Sequence, residues 1–249
     1  MNNKQKLLFL MFGIILIMFL TNCNVEQPEP ATVGELAYDV NKTNGYTIHI
    51  KEDEQYVPYL VLTNNYNGNT LLLREEIMEQ KCQFSKSDDD DNDYYADSHV
   101  DSYLNSEFYD YFSDSMKDTI VNSTIQISKE YPDIFEMEGI ERRIFLLSCT
   151  EVNIDLGITI EEGMPLKYFA EKKHMLCQRD GSYAGWWLRS NYLPERSMVW
   201  CISSEGVIGG NGVQYPNGIR PAFCVPSSVE IAREQVSSEI EGYVLKIEE

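Results

Sequence analysis

The stretch that decides the fold is Trp186-Trp-Leu-Arg-Ser190, an apolar run that carries two adjacent tryptophans and one arginine. Its composition predicts a β-strand, in which neighbouring side chains point to opposite faces of the sheet. One of Trp186 and Trp187 is then expected in the core. The other either lies under loops, which we favour, or is exposed and stacks on a sugar or a protein partner.

Two arginines lie in late strands: Arg189, and Arg220 within Gly218-Ile-Arg-Pro-Ala-Phe223. A buried arginine needs a carboxylate or several carbonyl oxygens around it. We favour a structural role for both arginines, with a clamp for an anion or a sugar hydroxyl as the alternative. Together with two polar residues between these strands they form the candidate ligand-binding set: Trp186, Trp187, Arg189, Asn211, Tyr215 and Arg220.

A glycine-rich stretch, Gly206-Val-Ile-Gly-Gly-Asn-Gly212, lies between the two arginine strands. A phosphate-binding loop needs a strand before it and the N-terminus of a helix after it. Here the strand-like Val213-Gln-Tyr215 follows instead. The stretch therefore predicts a β-turn with positive φ angles rather than a phosphate site.

Hydrophobic periodicity places the remaining elements. The first helix should carry Val100, Leu104 and Phe108 on one face and begin at Ser98, and a second should begin at Ser113. One or two helical turns are expected within 163–171, and a further helix at 229–236. Strands are predicted at 46–50, 57–63, 70–73, 123–128, 143–150 and 243–247, with a hairpin turn at 64–69.

Four ordered blocks resemble the bacterial domain family DUF6273: a "DS…LN..F" helix at 97–108, "FLLS" at 145–148, "WWLRS" at 186–190 and "GIRPA" at 218–222. The similarity covers about residues 56–226. Tyr103 stands where tryptophan is usual. The resemblance implies an α+β, C-type-lectin-like fold with two helices, a small, mostly antiparallel sheet and long loops. A fold shared by many functions does not name one of them.

The N-terminus predicts export. Lys4 and Lys6 precede the apolar run Leu7 to Leu20, which is shorter than a membrane span and typical of a signal peptide. Leu20-Thr-Asn-Cys23 resembles a lipobox, although Asn22 is unusual there, and an ordinary cleaved signal is the alternative. We expect a signal peptide at 1–22, a linker at 23–44 anchored through lipidated Cys23, a domain at 45–226 and an extension at 227–249.

The net charge of the chain limits the partners that it can bind. The chain has 249 residues, 20 basic and 40 acidic side chains, and a net charge of -20. Nucleic acid is therefore excluded as a partner, because phosphate binding needs a basic surface. The acidic run Ser87 to Asp93 predicts a solvated loop, with a calcium site as the less favoured alternative.

Five cysteines remain beyond Cys23: Cys82, Cys149, Cys177, Cys201 and Cys224. Their spacing matches no zinc motif. They are either buried small hydrophobic residues or include one disulfide, for which Cys201 and Cys224 are the first candidates. The pairing stays open at the level of sequence.

No catalytic motif surrounds the three histidines, and no cofactor is indicated. We expect a lipid-anchored, extracytoplasmic, non-enzymatic module that binds an extracellular glycan or an envelope or host protein. The alternatives are a lectin-fold enzyme that acts on cell-wall or host glycan, with a pair of carboxylates, and a purely structural envelope protein.

Overall fold

The computed structural model describes residues 29–41, 45–86, 93–130, 133, 135–154, 161–192, 195 and 197–247. The predicted signal peptide, Cys23 and the acidic run up to Asn92 lie outside these residues. Residues 31–249 form one compact unit, to which the following description refers. No helix in the described ranges is long and apolar enough to cross a membrane.

The described residues contain fourteen strands and two α-helices of six residues each. The strands are β1 (Thr47–Glu52), β2 (Gln55–Tyr66), β3 (Asn69–Arg74), β4 (Ser123–Ser128), β5 (Met137–Arg142), β6 (Ile144–Phe145), β7 (Gln178–Arg179), β8 (Ser182–Tyr183), β9 (Trp186–Asn191), β10 (Met198–Ile202), β11 (Ile208–Gly212), β12 (Ala222–Val225), β13 (Ile231–Gln235) and β14 (Glu241–Leu245). The helices are α1 (His99–Leu104) and α2 (Asp114–Thr119), and 3-10 turns occur at Val33–Leu36, Tyr95–Asp97, Tyr109–Tyr111, Lys167–Ala170 and Lys172–Met175.

The largest sheet has seven strands in the order β13-β14-β1-β2-β3-β12-β6. Only the β1–β14 pair is parallel. The β2–β3 hairpin turns at Asn67-Gly68, both of which have positive φ angles, 51° and 82°. This is the two-residue turn that suits the right-handed twist of a hairpin, and it confirms the turn predicted in this region. β12 pairs with β3 and thus joins the C-terminal part of the chain to the β2–β3 hairpin.

The α+β, two-helix, C-type-lectin-like fold expected from the resemblance is wrong. The chain is mostly β, and the first helix stops at Leu104 instead of continuing to Phe108. Asn105 ends it, because its amide donates to the carbonyls of Asp101 and Ile144 and its Oδ1 accepts from the Ile144 amide. The predicted N-caps are confirmed: the Ser98 and Ser113 hydroxyls accept amide hydrogen bonds at the starts of the two helices.

The C-terminal helix predicted at 229–236 is also wrong, because this segment contains β13. Ile231 and Ala232 pair with Leu245 and Val244 of β14, which extends the main sheet. The segment predicted as a linker also contributes to the folded unit, since Val33 and Leu36 are fully buried. The strand predicted at 143–150 is short, although residues 144–149 are all buried.

The three-stranded sheet β11-β10-β9 carries the tryptophan-rich strand. Every residue of β9 is buried. The Phe84 ring packs edge-on against Trp187, with ring centroids 5.7 Å apart, and Trp186 lies under Arg220. Two further pairs, β4–β5 and β7–β8, complete the β structure of the described residues.

Candidate functional site

Arg189 lies at the centre of a buried ionic network. Its Nη1 donates to Glu151 Oε2 at 2.6 Å and its Nη2 to Glu151 Oε1 at 2.9 Å, and both side chains have no exposed surface. The remaining N–H groups donate to the carbonyls of Gln126, Leu146 and Glu162. All five donors of the guanidinium are therefore used, and none is left for a ligand.

The carboxylates around Arg189 are equally engaged. Glu151 also accepts from the Tyr66 hydroxyl at 2.6 Å and from the Ser148 amide at 3.0 Å. Glu162 bonds to Ser128 and Ser190, and burial raises the pKa of its carboxyl. Gly163, with a φ of 99°, passes so close that a Cβ there would lie 2.8 Å from Glu151 Oε1. This network joins five segments of the chain and stabilises the fold.

Arg220 is buried in a different environment. Its Nε donates to the Arg74 carbonyl at 2.9 Å and its Nη2 to the Glu75 carbonyl at 3.1 Å. The guanidinium carbon lies 5.2 Å from the centroid of the Trp186 ring. Nη1 has no hydrogen-bond partner in the described residues. Arg220 thus fixes the end of β3 to the late strands through carbonyls and an aromatic ring.

Both tryptophans of β9 are fully buried, with their indole N–H groups donating to the carbonyls of Met175 and Cys82. Asn211 and Tyr215, the other two candidates, do not share a surface. Asn211 lies opposite Val199, on the face of β11 away from Gly210 and Gly212. Tyr215 is 59% exposed. The structure therefore brings four of the six candidates into the interior and separates the remaining two.

The five cysteines in the described residues are free and buried, so Cys201 and Cys224 form no disulfide. Burial raises the pKa of the Cys201 thiol to about 11 and that of Cys224 to about 12. These thiols behave as small apolar groups of the core. The described residues also contain no group of three His, Cys, Asp or Glu side chains that could hold a metal ion.

An open cavity of about 690 Å³ lies beside the tip of the β1–β2 hairpin. The hairpin turn contributes Asp53 and Glu54, and Asp53 has a φ of 50°. Its amide donates to the Tyr111 carbonyl at 2.7 Å, which fixes the turn against the segment after α1. The lining residues are Glu52, Asp53, Glu54, Gln55, Val57, Arg74, Met78, Glu79, Gln80 and Tyr111. We call this space the hairpin cavity.

The hairpin cavity is acidic. Four carboxylates line it against one arginine, and that arginine is already paired: Arg74 Nε donates to Glu52 Oε1 at 2.8 Å. The Tyr59 hydroxyl donates to the same oxygen at 2.7 Å. Both of these donors use Oε1, and Glu52 Oε2 accepts no side-chain hydrogen bond from the described residues. Val57, Met78 and Tyr111 add an apolar wall.

Sequence reasoning did not find this cavity. Three of its four acidic residues, Glu52, Asp53 and Glu54, are consecutive at the end of β1 and in the hairpin turn, and the fold brings Glu79 and the apolar wall to them. The one usable signal was the turn sequence Glu52-Asp-Glu54, three acids at the end of an alternating strand. In a chain with 40 acidic residues, such a triplet is not distinctive.

A second, more open groove of about 520 Å³ runs along α1. It contains Asp101 and Glu141, together with several serine and asparagine side chains. Arg142 Nε donates to Asp101 at 2.7 Å, yet burial raises the pKa of this carboxyl to about 6. A carboxyl that titrates near neutrality in a groove is a common property of functional sites.

The family model of a domain of unknown function, DUF6273, matches residues 67–227, and the chain belongs to this family. The match begins at the β2–β3 turn and ends just after β12. It therefore includes Arg189, Glu151, Glu162 and Arg220 but not Tyr66 of the network, nor β1, β2, β13 and β14. No curated protein and no solved structure matches the chain.

Proposed function

We propose that this protein is a lipid-anchored, extracytoplasmic binding module whose hairpin cavity accepts positively charged side chains of an envelope or host protein. The observation that carries the proposal is the combination of size, charge and wall in that cavity. A volume of about 690 Å³ accommodates one or two long side chains. The carboxylates attract the cationic head group, while the apolar wall receives its aliphatic stem.

The charge of the whole chain supports the same ligand class. With a net charge of -20, the protein attracts cations over a distance and repels anionic ligands. Oε2 of Glu52 is a ready acceptor, since the side chain is already held in place by Arg74 and Tyr59. Such preorganisation reduces the entropy that binding must offset.

The test is a binding titration with a lysine- and arginine-rich peptide and with a version in which every basic residue is replaced by glutamine. Binding of the first but not the second, weakened by salt, supports the proposal. Glu79→Gln should lower the affinity, whereas Glu239→Gln, an exposed acid outside the cavity, is the matched control. Equal affinity for both peptides would contradict a cation-binding cavity.

Anchoring is tested separately. Cys23→Ala should release the protein from the membrane fraction or leave the precursor uncleaved. If the variant is processed and fractionates like the wild type, the lipoprotein part of the proposal is wrong, although the cavity proposal is unaffected.

An enzyme acting on glycan is the second candidate, and one observation favours it. Asp101 and Glu141 share the groove along α1, and the pKa of Asp101 is near 6. One carboxylic acid and one carboxylate are the groups that glycoside hydrolysis needs. Release of reducing sugars from cell-wall glycan, abolished in Asp101→Asn, would establish this activity.

A further inference from the structure

One face of the β10–β11 pair has an unusual composition. Residues directly opposite each other in an antiparallel pair point to the same face. Gly210 lies opposite Trp200, and Gly212 lies opposite Met198. The two glycines therefore form a floor next to the Trp200 side chain. Both glycines belong to the glycine-rich stretch 206–212, which the sequence analysis did not interpret as a phosphate-binding loop.

Each glycine supports an aromatic ring. A Cβ on Gly210 would lie 2.8 Å from the Tyr192 ring, and a Cβ on Gly212 would lie 3.0 Å from the Tyr215 ring. The same position on Gly212 would be 2.7 Å from Gln214 Oε1. Any side chain at these positions would displace the rings, so glycine is required for this arrangement. Tyr192 also packs edge-on against Trp200, with ring centroids 4.4 Å apart.

Two polar atoms at this face are buried without a partner in the described residues: the donor Trp200 Nε1 and the acceptor Gln214 Oε1. Trp200 is only 6% exposed. The chain has three tryptophans, and the indole N–H groups of the other two donate to backbone carbonyls. Buried polar groups are normally satisfied, so this donor and acceptor require an explanation.

We infer that this face is a carbohydrate subsite, in which a sugar ring stacks on Tyr215 and a hydroxyl accepts from Trp200 Nε1 and donates to Gln214 Oε1. A hydroxyl is the simplest group that satisfies a donor and an acceptor at once. The rings and glycines carry no charge, which suits a neutral sugar rather than an ion. Tyr215 is 59% exposed, so its ring is accessible to a ligand beside the two buried atoms.

The subsite goes beyond the proposed function, since it uses other residues and another ligand class than the hairpin cavity. Its test is a titration of the full chain, labelled with nitrogen-15, against methyl β-glucopyranoside, methyl α-mannopyranoside and N-acetylglucosamine. The spectrum contains three indole N–H signals, one for each tryptophan. We expect at least one sugar to shift the Trp200 signal and leave those of Trp186 and Trp187 in place.

Variants then locate the binding. Trp200→Phe keeps a ring but removes the donor, and Tyr215→Ala removes the stacking surface; each should weaken binding by about tenfold or more. Tyr183→Ala, which removes another exposed tyrosine, is the matched control. If Trp200→Phe does not fold, Tyr215→Ala still tests the subsite, because replacing an exposed side chain should leave the fold intact. An unshifted Trp200 signal with all three sugars, or wild-type affinity in Tyr215→Ala, would overturn the subsite.

Discussion

Two arginine–carboxylate pairs of this protein are built alike and differ in their surroundings. Arg189 pairs with Glu151 and Arg74 pairs with Glu52, and in each case a tyrosine hydroxyl donates to the same carboxylate, from Tyr66 and Tyr59 respectively. The first pair has no exposed surface, whereas Arg74 and Glu52 are 14% and 9% exposed and line the hairpin cavity.

The two pairs differ in how many oxygens of the carboxylate accept hydrogen bonds. Both oxygens of Glu151 accept hydrogen bonds, so the pair is complete within the fold. In Glu52 one oxygen takes both donors and the other accepts no side-chain hydrogen bond from the described chain. The same three residue types thus make a structural link when closed off from water and a candidate binding group when one oxygen borders a cavity.

The largest effect is expected from Arg189→Ala. The change leaves the Glu151 carboxylate buried without its cation and three carbonyls without a donor, which should cost about 3–5 kcal/mol of unfolding free energy. Since domains are stable by about 5–15 kcal/mol, the variant should express poorly or melt far below the wild type. Thermal melts check this outcome.

The control for this experiment is Lys173→Ala, which removes an exposed cation paired with Glu171 at the surface. Its melting temperature should stay near that of the wild type, because surface pairs contribute little. A soluble Arg189→Ala variant with wild-type melting would show that the network is not structural and would return Arg189 to the candidate binding residues.

Arg220→Ala should cost less, about 2–4 kcal/mol. Among the described residues no carboxylate lies within ion-pair distance of Arg220, but two carbonyls lose a donor and a cavity opens beside Trp186. Denaturant unfolding of the two alanine variants side by side measures the difference. A loss for Arg220→Ala as large as that for Arg189→Ala would mean that a carboxylate pairs with it in solution.

A third pair, Asp101 with Arg142, lies beside the groove along α1, and its side chains are 5% and 24% exposed. The pH dependence of stability extends the comparison to this pair. Burial raises the pKa of Asp101 from 3.8 to about 6, so the folded state holds this proton more tightly than the unfolded state. Its contribution is present below about pH 4 and is lost as the pH rises to about 6, a loss of about 1–3 kcal/mol.

Asp101→Asn removes the titrating group, so its stability should change less than that of the wild type between these pH values. Urea unfolding at several pH values from about 4 to about 7 measures the slope of the free energy of unfolding against pH for the wild type and for the variant. Identical slopes for the two proteins would mean that Arg142 keeps Asp101 ionised and that burial does not control this carboxyl.

The sequence predicted single elements better than their assembly. The hairpin turn at Asn67-Gly68 and the caps at Ser98 and Ser113 were recoverable because each depends on local chemistry. The seven-stranded sheet was not, since β12 and β14 pair with strands about 150 and 200 residues earlier, and no local pattern records a partner. The prediction of a helix at 229–236 was wrong because a short apolar run is compatible with the periodicity of a helix and with that of a strand.

The candidate sites show the same limit. Arginine in an apolar strand correctly suggested buried ion pairing at Arg189, but its partner Glu151 follows from the fold alone. The hairpin cavity depends on the register of two strands and on a turn held by Tyr111, neither of which the residue pattern specifies. For Arg220 the sequence left open whether a carboxylate or carbonyls surround it, and the structure shows two carbonyls and an aromatic ring.

The smallest effect on stability is expected from Glu52→Gln. The amide oxygen still accepts from Arg74 and Tyr59, and water in the cavity solvates the guanidinium, so the change should cost only about 1 kcal/mol. Binding should respond more strongly: loss of one carboxylate should weaken a lysine-rich peptide by about tenfold at low salt, with a smaller difference at high salt. Calorimetric titration at two salt concentrations, together with a melt, measures both quantities. The opposite pattern, a large loss of stability with unchanged peptide affinity, would place the Arg74–Glu52 pair in the same structural class as Arg189–Glu151.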